Sequence, residues 1–203
     1  MRYTGQYIWP PRPQAGLVMP GGDYFKNLEA NPDWIAQAKL KGLNAQLVLI
    51  DTEIELFNRH NARIEHPLTP EQVTFFLTLK QHAPLVLNFE LIHRQTKQWK
   101  NIFYLFDILV HRGEWLVGTT VEERQRLLDK MFPATQPTPY PFAASLAPGV
   151  WRALSFKSQW EQTITKYGDL NLFEGLVLKR KSGKLEPGLR EKNNAGWSVR
   201  CRK

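Results

Sequence analysis

The sequence predicts an α+β fold in which antiparallel sheets carry a few helices. Three observations support this. Residues 85–93 (Leu-Val-Leu-Asn-Phe-Glu-Leu-Ile-His) and 102–110 (Ile-Phe-Tyr-Leu-Phe-Asp-Ile-Leu-Val) are long apolar runs rich in strand-forming residues. Capped helix starts stand at Thr69-Pro70-Glu71-Gln72 and at Thr120-Val121-Glu122-Glu123. Strands and helices do not alternate regularly, which argues against a doubly wound parallel sheet.

Taken in order, residues 1–25 hold Pro10, Pro11, Pro13 and Pro20 with Trp9, and read as an extended arm on a domain spanning 26–203. Residues 45–57 read as two short strands across a turn at Asp51-Thr52. The first capped helix runs from Pro70 to about Gln81, with Val73, Phe76 and Leu77 on its buried face. The second, from Thr120, is expected to turn Arg124, Arg126 and Lys130 to solvent. Residues 133–149 contain five prolines and read as a surface loop. Ser158-Gln159-Trp160-Glu161 is expected to cap a third helix that stops at Gly168. Phe173–Arg180 and Trp197–Arg202 read as the closing strands, around a turn at Ser182-Gly183-Lys184.

With 203 residues, 42% hydrophobic and 23% charged, the composition is that of one ordinary globular domain. No apolar run reaches membrane-spanning length and no signal-peptide core opens the chain. The one cysteine, Cys201, reads as a packing residue in a reducing, cytoplasmic setting. The net charge of +8 is uneven, since Lys179 to Lys203 holds nine Lys or Arg against two Glu, leaving +1 for the rest. A nearly neutral body with a cationic end suits a polyanionic partner such as nucleic acid.

Two features carry chemistry. Lys39-Leu40-Lys41-Gly42 precedes a strand-like segment, and residues two apart on extended backbone share a face. A second ammonium at Lys41 would then favour the neutral, nucleophilic amine of Lys39. Glu90 and Asp107 each interrupt an apolar strand, and a buried charge is costly unless paired or bound. There is no metal-binding Cys/His spacing and no glycine-rich phosphate loop.

The ordered series Lys39-Leu40-Lys41-Gly42, Phe89-Glu90-Leu91-Ile92, Phe106-Asp107-Ile108-Leu109, Glu174-Gly175-Leu176-Val177-Leu178-Lys179 and Trp197-Ser198-Val199-Arg200-Cys201-Arg202 resembles the motifs of the covalent nucleotidyltransferases. These are the ATP-dependent DNA ligases, RNA ligases and mRNA-capping guanylyltransferases. The run Val121 to Leu128 after Arg112-Gly113-Glu114 is similar to the DNA-ligase branch. The resemblance implies a nucleotidyltransferase domain of the ATP-grasp-like kind, without the OB-fold domain that usually follows, since the chain ends after the last motif.

Residue by residue, the resemblance implies Lys39 as the nucleophile that takes AMP from ATP, and Gln37 as the reader of adenine. It implies Glu90 on the ribose hydroxyls, Phe106 stacked on the base, and Glu174 positioning Mg²⁺ (or Mn²⁺) and its water. Lys179, Arg200 and Arg202 would face the phosphates, and Arg59 would meet the phosphate of the acceptor. Lys181, Lys184, Arg190 and Lys192 lie outside the motifs and are expected to grip the polynucleotide backbone. The implied activity is sealing of nicks in duplex DNA by a monomer, with no membrane contact, in repair or replication.

The chain departs from the family pattern in four respects. Lys41 stands where Asp, Asn or His is usual, Asn44 stands where Arg is frequent, Glu90 follows Phe89 where a glycine is common, and Arg200 and Arg202 replace lysines. Two other readings stay open: an RNA ligase, which the expected lack of an accessory domain makes credible, and a catalytically silent nucleic-acid-binding module that keeps the fold, which Lys41 and Asn44 favour.

Overall fold

Strand β2 (Trp34–Leu40) illustrates how local pattern becomes architecture. Ala36, Ala38 and Leu40 are buried in the main core, while Gln37 and Lys39 turn to a cleft, the period of two of a pleated strand. The computed structural model describes the chain except residues 16, 17, 95, 97, 134, 192 and 193. Lys192, one of the expected backbone contacts, therefore lies outside the described residues.

Two sheets enclose the cleft. The smaller has the order β1 (Arg12–Gln14), β12 (Asn194–Arg202), β11 (Phe173–Arg180), β2. The larger runs β4 (Glu53–Asn58), β3 (Leu43–Ile50), β5 (Leu85–Ile92), β6 (Ile102–His111), β10 (Val150–Ala153), β9 (Ala143–Ala147), β8 (Gln136–Pro137), with β7 (Glu114–Trp115) paired to β6. The expected antiparallel pairing holds except that β1 runs parallel to β12 and β10 parallel to β6. Among the described residues no strands close into an OB barrel, and no helix is long and apolar enough to cross a membrane.

Among the described residues four α-helices cover the sheets. α1 (Asp23–Ala30) and α4 (Trp160–Tyr167) place Phe25, Leu28, Trp160 and Ile164 on the core behind the smaller sheet. Cys201 is buried there too, as a packing residue. α2 (Pro70–Thr78) and α3 (Val121–Met131) begin with capping boxes at Thr69/Gln72 and Thr120/Glu123, and cover the larger sheet.

Several expectations need correction. α1 lies partly inside the segment read as an arm; its two-residue stripe, Phe25 and Leu28, and the absence of a side-chain cap leave little signal. α2 buries Gln72 and Phe76, while Val73 and Leu77 are only half-buried. The proline-rich stretch contains β8 and β9, and Pro137 is accommodated because β8 is an edge strand. α4 is preceded by Gln159 in the left-handed region with no side-chain cap bond, so Ser158 does not cap it. Arg124 is not on the solvent side of α3: it is 1% exposed, for a reason given below.

Candidate active site

The cleft, about 610 Å³, is floored by β2, β11 and β12 and walled by β3, β5 and β6. Register brings the motifs together across the floor. Lys39 lies opposite Gly175 and Gln37 opposite Val177, while on the next strand Arg202 faces Gly175 and Arg200 faces Val177.

Two β-bulges aim the chemistry. In β11 the pairing with β2 slips between Phe173 and Gly175, so Phe173 stays in the core while Glu174 turns to the cleft. Gly175 makes this possible: its φ is +134°, and a Cβ there would stand 2.2 Å from the Cys201 carbonyl oxygen. In β6, Asn88 pairs with Asp107 but Phe89 pairs with Leu105, leaving Phe106 as the extra residue. Phe106 and Asp107 both reach the cleft as a result. The Phe106 carbonyl, freed from the ladder, accepts from Gln125 Nε2 at 3.2 Å and Lys179 Nζ at 3.4 Å.

At the centre, the Lys39 ammonium is hydrogen-bonded and ion-paired to Glu174 Oε2. Glu90 stands across from this pair on β5. Its carboxyl is pushed up to about 7, first by burial and then by the Glu174 charge, against the pull of Lys39, Arg59 and the Gly42 amide. Gly42 must lack a side chain because a Cβ would come within 2.7 Å of Glu90 Cγ. Arg200 and Arg202 line the cleft without a hydrogen-bond or ion-pair partner among the described residues.

Lys179 lines the cleft from a largely buried position. It is 5% exposed, donates to Gln37 Oε1 at 2.6 Å and sits 5.3 Å from the Phe106 ring centroid. Burial lowers its pKa to about 8; Asp107 opposes the drop and Arg124 adds to it. Gln37 is equally committed, donating to Ser155 Oγ at 3.0 Å and Gln125 Oε1 at 3.2 Å. The amide thus holds Lys179 in place as well as lining the cleft.

Beneath them lies the reason Arg124 is buried. Its guanidinium donates twice to Asp107, at 2.8 and 3.2 Å, donates to the Thr119 carbonyl at 2.8 Å, and lies 5.3 Å from the Trp197 ring centroid. Burial alone would raise the Asp107 pKa, but Arg124 and then Lys179 outweigh it and hold it below the usual carboxylate value. The interruption of strand 102–110 by Asp107 is therefore an ion pair supporting the floor.

Lys41 does not stand beside Lys39. It follows the end of β2, its amide donates to Leu172 O at 2.9 Å, its side chain is 3.4 Å from Asn171 Oδ1, and it does not line the cleft. Arg59 lines the cleft, held through Nε to His60 Nε2 at 3.2 Å. Lys181, Lys184 and Arg190 lie outside it. Lys181 and Lys184 flank the turn after β11, beside Asp33 and the start of α3.

Sequence reasoning missed Asn44, Asn88, Ser198 and Arg12 as cleft residues. Asn44 Nδ2 donates to Asn88 Oδ1 at 2.8 Å. Asn44 Oδ1, Ser198 Oγ, Trp197 Nε1 and Arg12 Nε are buried cleft-residue atoms without a partner. Buried polar groups are normally satisfied, so this set marks a surface built for a polar ligand. The alternation of β12 was the available signal for Ser198, and the motif position two after Gly42 for Asn44; nothing local signalled Asn88 or Arg12.

A lysine paired with a carboxylate thus lies on the floor of a cation-lined cleft between two sheets. The family model for the ATP-dependent DNA ligase domain matches residues 89–197, more than half of the chain, and the chain belongs to that family, whose members use ATP. Solved structures share the fold. Mycobacterial DNA ligase D complexed with ATP and MES superposes with a TM-score of 0.67 at 18% identity, over 96% of this chain and 60% of that one. The ligase domain of LigD from M. tuberculosis gives 0.63 at 17%, over 95% and 58%. A Lig E DNA ligase, described as binding DNA with a minimal scaffold, gives 0.52 at 19%, over 84% and 62%. The chain thus spans about three fifths of the length of these structures. No curated protein matches it by sequence.

Proposed function

We propose that this domain carries out the ligase reaction at nicks in duplex DNA, with Lys39 as the nucleophile. The observation that carries the reading is the Lys39–Glu174 pair, open to the cleft and flanked by Arg200 and Arg202. The neutral Lys39 amine attacks the α-phosphorus of ATP: the N–P bond forms, the bond to pyrophosphate breaks, and the lysine proton leaves through Glu174 or solvent. The 5′-phosphate of the nick then displaces Lys39 from AMP, and the 3′-hydroxyl displaces AMP.

Arg200 and Arg202 stabilise charge on the transferring phosphoryl group. Phe106 offers a stacking face, Glu90 accepts from the ribose hydroxyls, and Gln37 and Lys179 form the buried support beside the ring. Among the described residues no three His, Cys, Asp or Glu side chains gather. A divalent ion would accordingly be held by Glu174, phosphate oxygens and water, the habit of Mg²⁺ (or Mn²⁺), and would supply charge neutralisation at the phosphates. Arg59 fits the acceptor phosphate, and Lys181, Lys184, Arg190 and Lys192 would extend the contact along the backbone. A cytoplasmic setting, and activity as a monomer in repair or replication, belong to the same proposal.

The test is intact mass after incubation with ATP and Mg²⁺, followed by sealing assays on nicked DNA and nicked RNA duplexes. The wild type should gain one AMP and seal the DNA nick; Lys39→Ala should gain none while keeping its fold by circular dichroism. An adduct on Lys39→Ala refutes the assignment. Sealing of RNA alone moves the reading to an RNA ligase, and a wild type with no adduct supports a silent binding module.

A further inference from the structure

The proline-rich arm forms part of the cleft. Pro10, Pro11, Arg12, Pro13 and Ala15 line the same cavity as Lys39 and Arg202. The arm is held along its length. Ile8 is buried among Val48, Val86 and Leu185, its carbonyl accepts from Gln46 Nε2 at 2.5 Å, and Tyr7 donates its hydroxyl to Asn58 O at 2.7 Å. Trp9 N donates to Gly188 O at 2.9 Å. Beyond these anchors β1 adds a parallel strand to β12, the strand that carries Arg200 and Arg202. Three prolines fix their own φ, so little entropy remains to be lost in holding this wall.

Arg12 is the charged residue of that wall. Its Nε is buried without an acceptor, and its one side-chain contact among the described residues is a long 3.5 Å approach of a terminal nitrogen to Glu191 Oε1. That oxygen already takes the shorter bond, 2.6 Å, from His60 Nδ1. A guanidinium has five donors in a planar fork suited to phosphate. Among the described residues only one of those donors has an acceptor, and Arg12 lines a cleft in which cationic side chains outnumber carboxylates.

We infer that Arg12 binds a phosphate group in the cleft. This rests on the proposed ligase reading. The phosphate is either the β,γ-pair of ATP or the 5′-phosphate of the nick, which share the chemistry that Arg12 would recognise.

Calorimetric titration separates these. α,β-Methylene-ATP, which cannot transfer AMP, and AMP are titrated into wild type, Arg12→Gln and Arg12→Lys. Nicked duplexes with a 5′-phosphate or a 5′-hydroxyl are titrated in parallel, and melting temperatures confirm that each variant is folded. Loss of one charge-assisted contact should weaken the relevant ligand about tenfold in Arg12→Gln, with Arg12→Lys in between. If the triphosphate analogue loses affinity and AMP does not, Arg12 serves the β,γ-phosphates. If only the 5′-phosphate duplex loses affinity relative to its 5′-hydroxyl twin, Arg12 serves the acceptor. Equal losses for AMP and analogue, or for both duplexes, would mean that Arg12 merely props the arm, and would overturn the inference. Unchanged affinities throughout would overturn it as well. A wild type that binds neither the analogue nor the duplexes removes the ligase reading itself.

Discussion

Replacing Asp107 by Ala should destabilise this protein more than the loss of any other cleft charge. Asp107 is 4% exposed and Arg124 1%. The carboxylate accepts two guanidinium bonds, at 2.8 and 3.2 Å, and the Ile108 amide at 2.9 Å. Without it the guanidinium keeps, among the described residues, only the Thr119 carbonyl and the face of Trp197. A desolvated cation–π contact is worth about 2 kcal/mol, and stranding one member of a buried pair costs about 3–5 kcal/mol. The remaining contacts therefore fall short, and a net loss of ~4 kcal/mol is expected, against a total stability of about 5–15 kcal/mol for a typical domain.

Urea unfolding at pH 7 measures this loss. The double variant Asp107→Leu/Arg124→Met should recover most of it, because an apolar pair of similar volume needs no charge compensation. The folded-state pKa of Asp107 is depressed, so its contribution is present above the unfolded carboxylate value and is lost as pH falls through the folded one. The gap between wild type and Asp107→Ala should then narrow only in acid, below about pH 4. Lys179 loses the carboxylate that sustains its charge, so its pKa should fall further below about 8. A single variant within ~1 kcal/mol of wild type, or a double variant no better than the single, would refute this account of the pair.

The remaining predictions concern the cleft. Glu90→Gln should stabilise the fold at pH 8 but not at pH 4, because a carboxyl raised to about 7 becomes a penalty only as pH climbs from its unfolded value through 7. The displacement bounds the gain at ~3 kcal/mol, and the half-open position of Glu90 on the cleft reduces the expectation to about 1–2 kcal/mol; equal gains at both pH values in thermal melts would contradict this. Gly175→Ala should cost at least ~2 kcal/mol in urea unfolding and slow AMP attachment, since it strains a positive φ and disturbs the bulge that presents Glu174; full activity in this variant would show that the bulge is dispensable. Lys41→Ala should leave the rate of AMP attachment and its pH profile unchanged, because Lys41 lies outside the cleft against Asn171. A profile displaced to higher pH would restore Lys41 as the neighbour that activates Lys39.

What the sequence determined by itself was local. Capping boxes at Thr69 and Thr120 announce helices because the cap and its third residue are neighbours in the chain. Apolar runs announce β5, β6 and β11 because each strand's own side chains carry the burial pattern. The order of motifs sufficed to group Lys39, Glu90, Phe106, Glu174, Arg200 and Arg202, and all six line one cleft. Only the tertiary structure decided partnership. Period-two reasoning set Lys41 beside Lys39, yet β2 ends one residue earlier and the partner is Glu174, delivered from 135 positions away by a bulge. Helical spacing put Arg124 at the surface, yet Asp107 on a facing strand draws it inward. The arm showed no function in sequence, because proline content fixes its stiffness but not its neighbour; its docking on β12 is what places Arg12 in the cleft. Pairing energies depend on distances between chain-remote groups, and those distances exist only once the sheets have closed on each other.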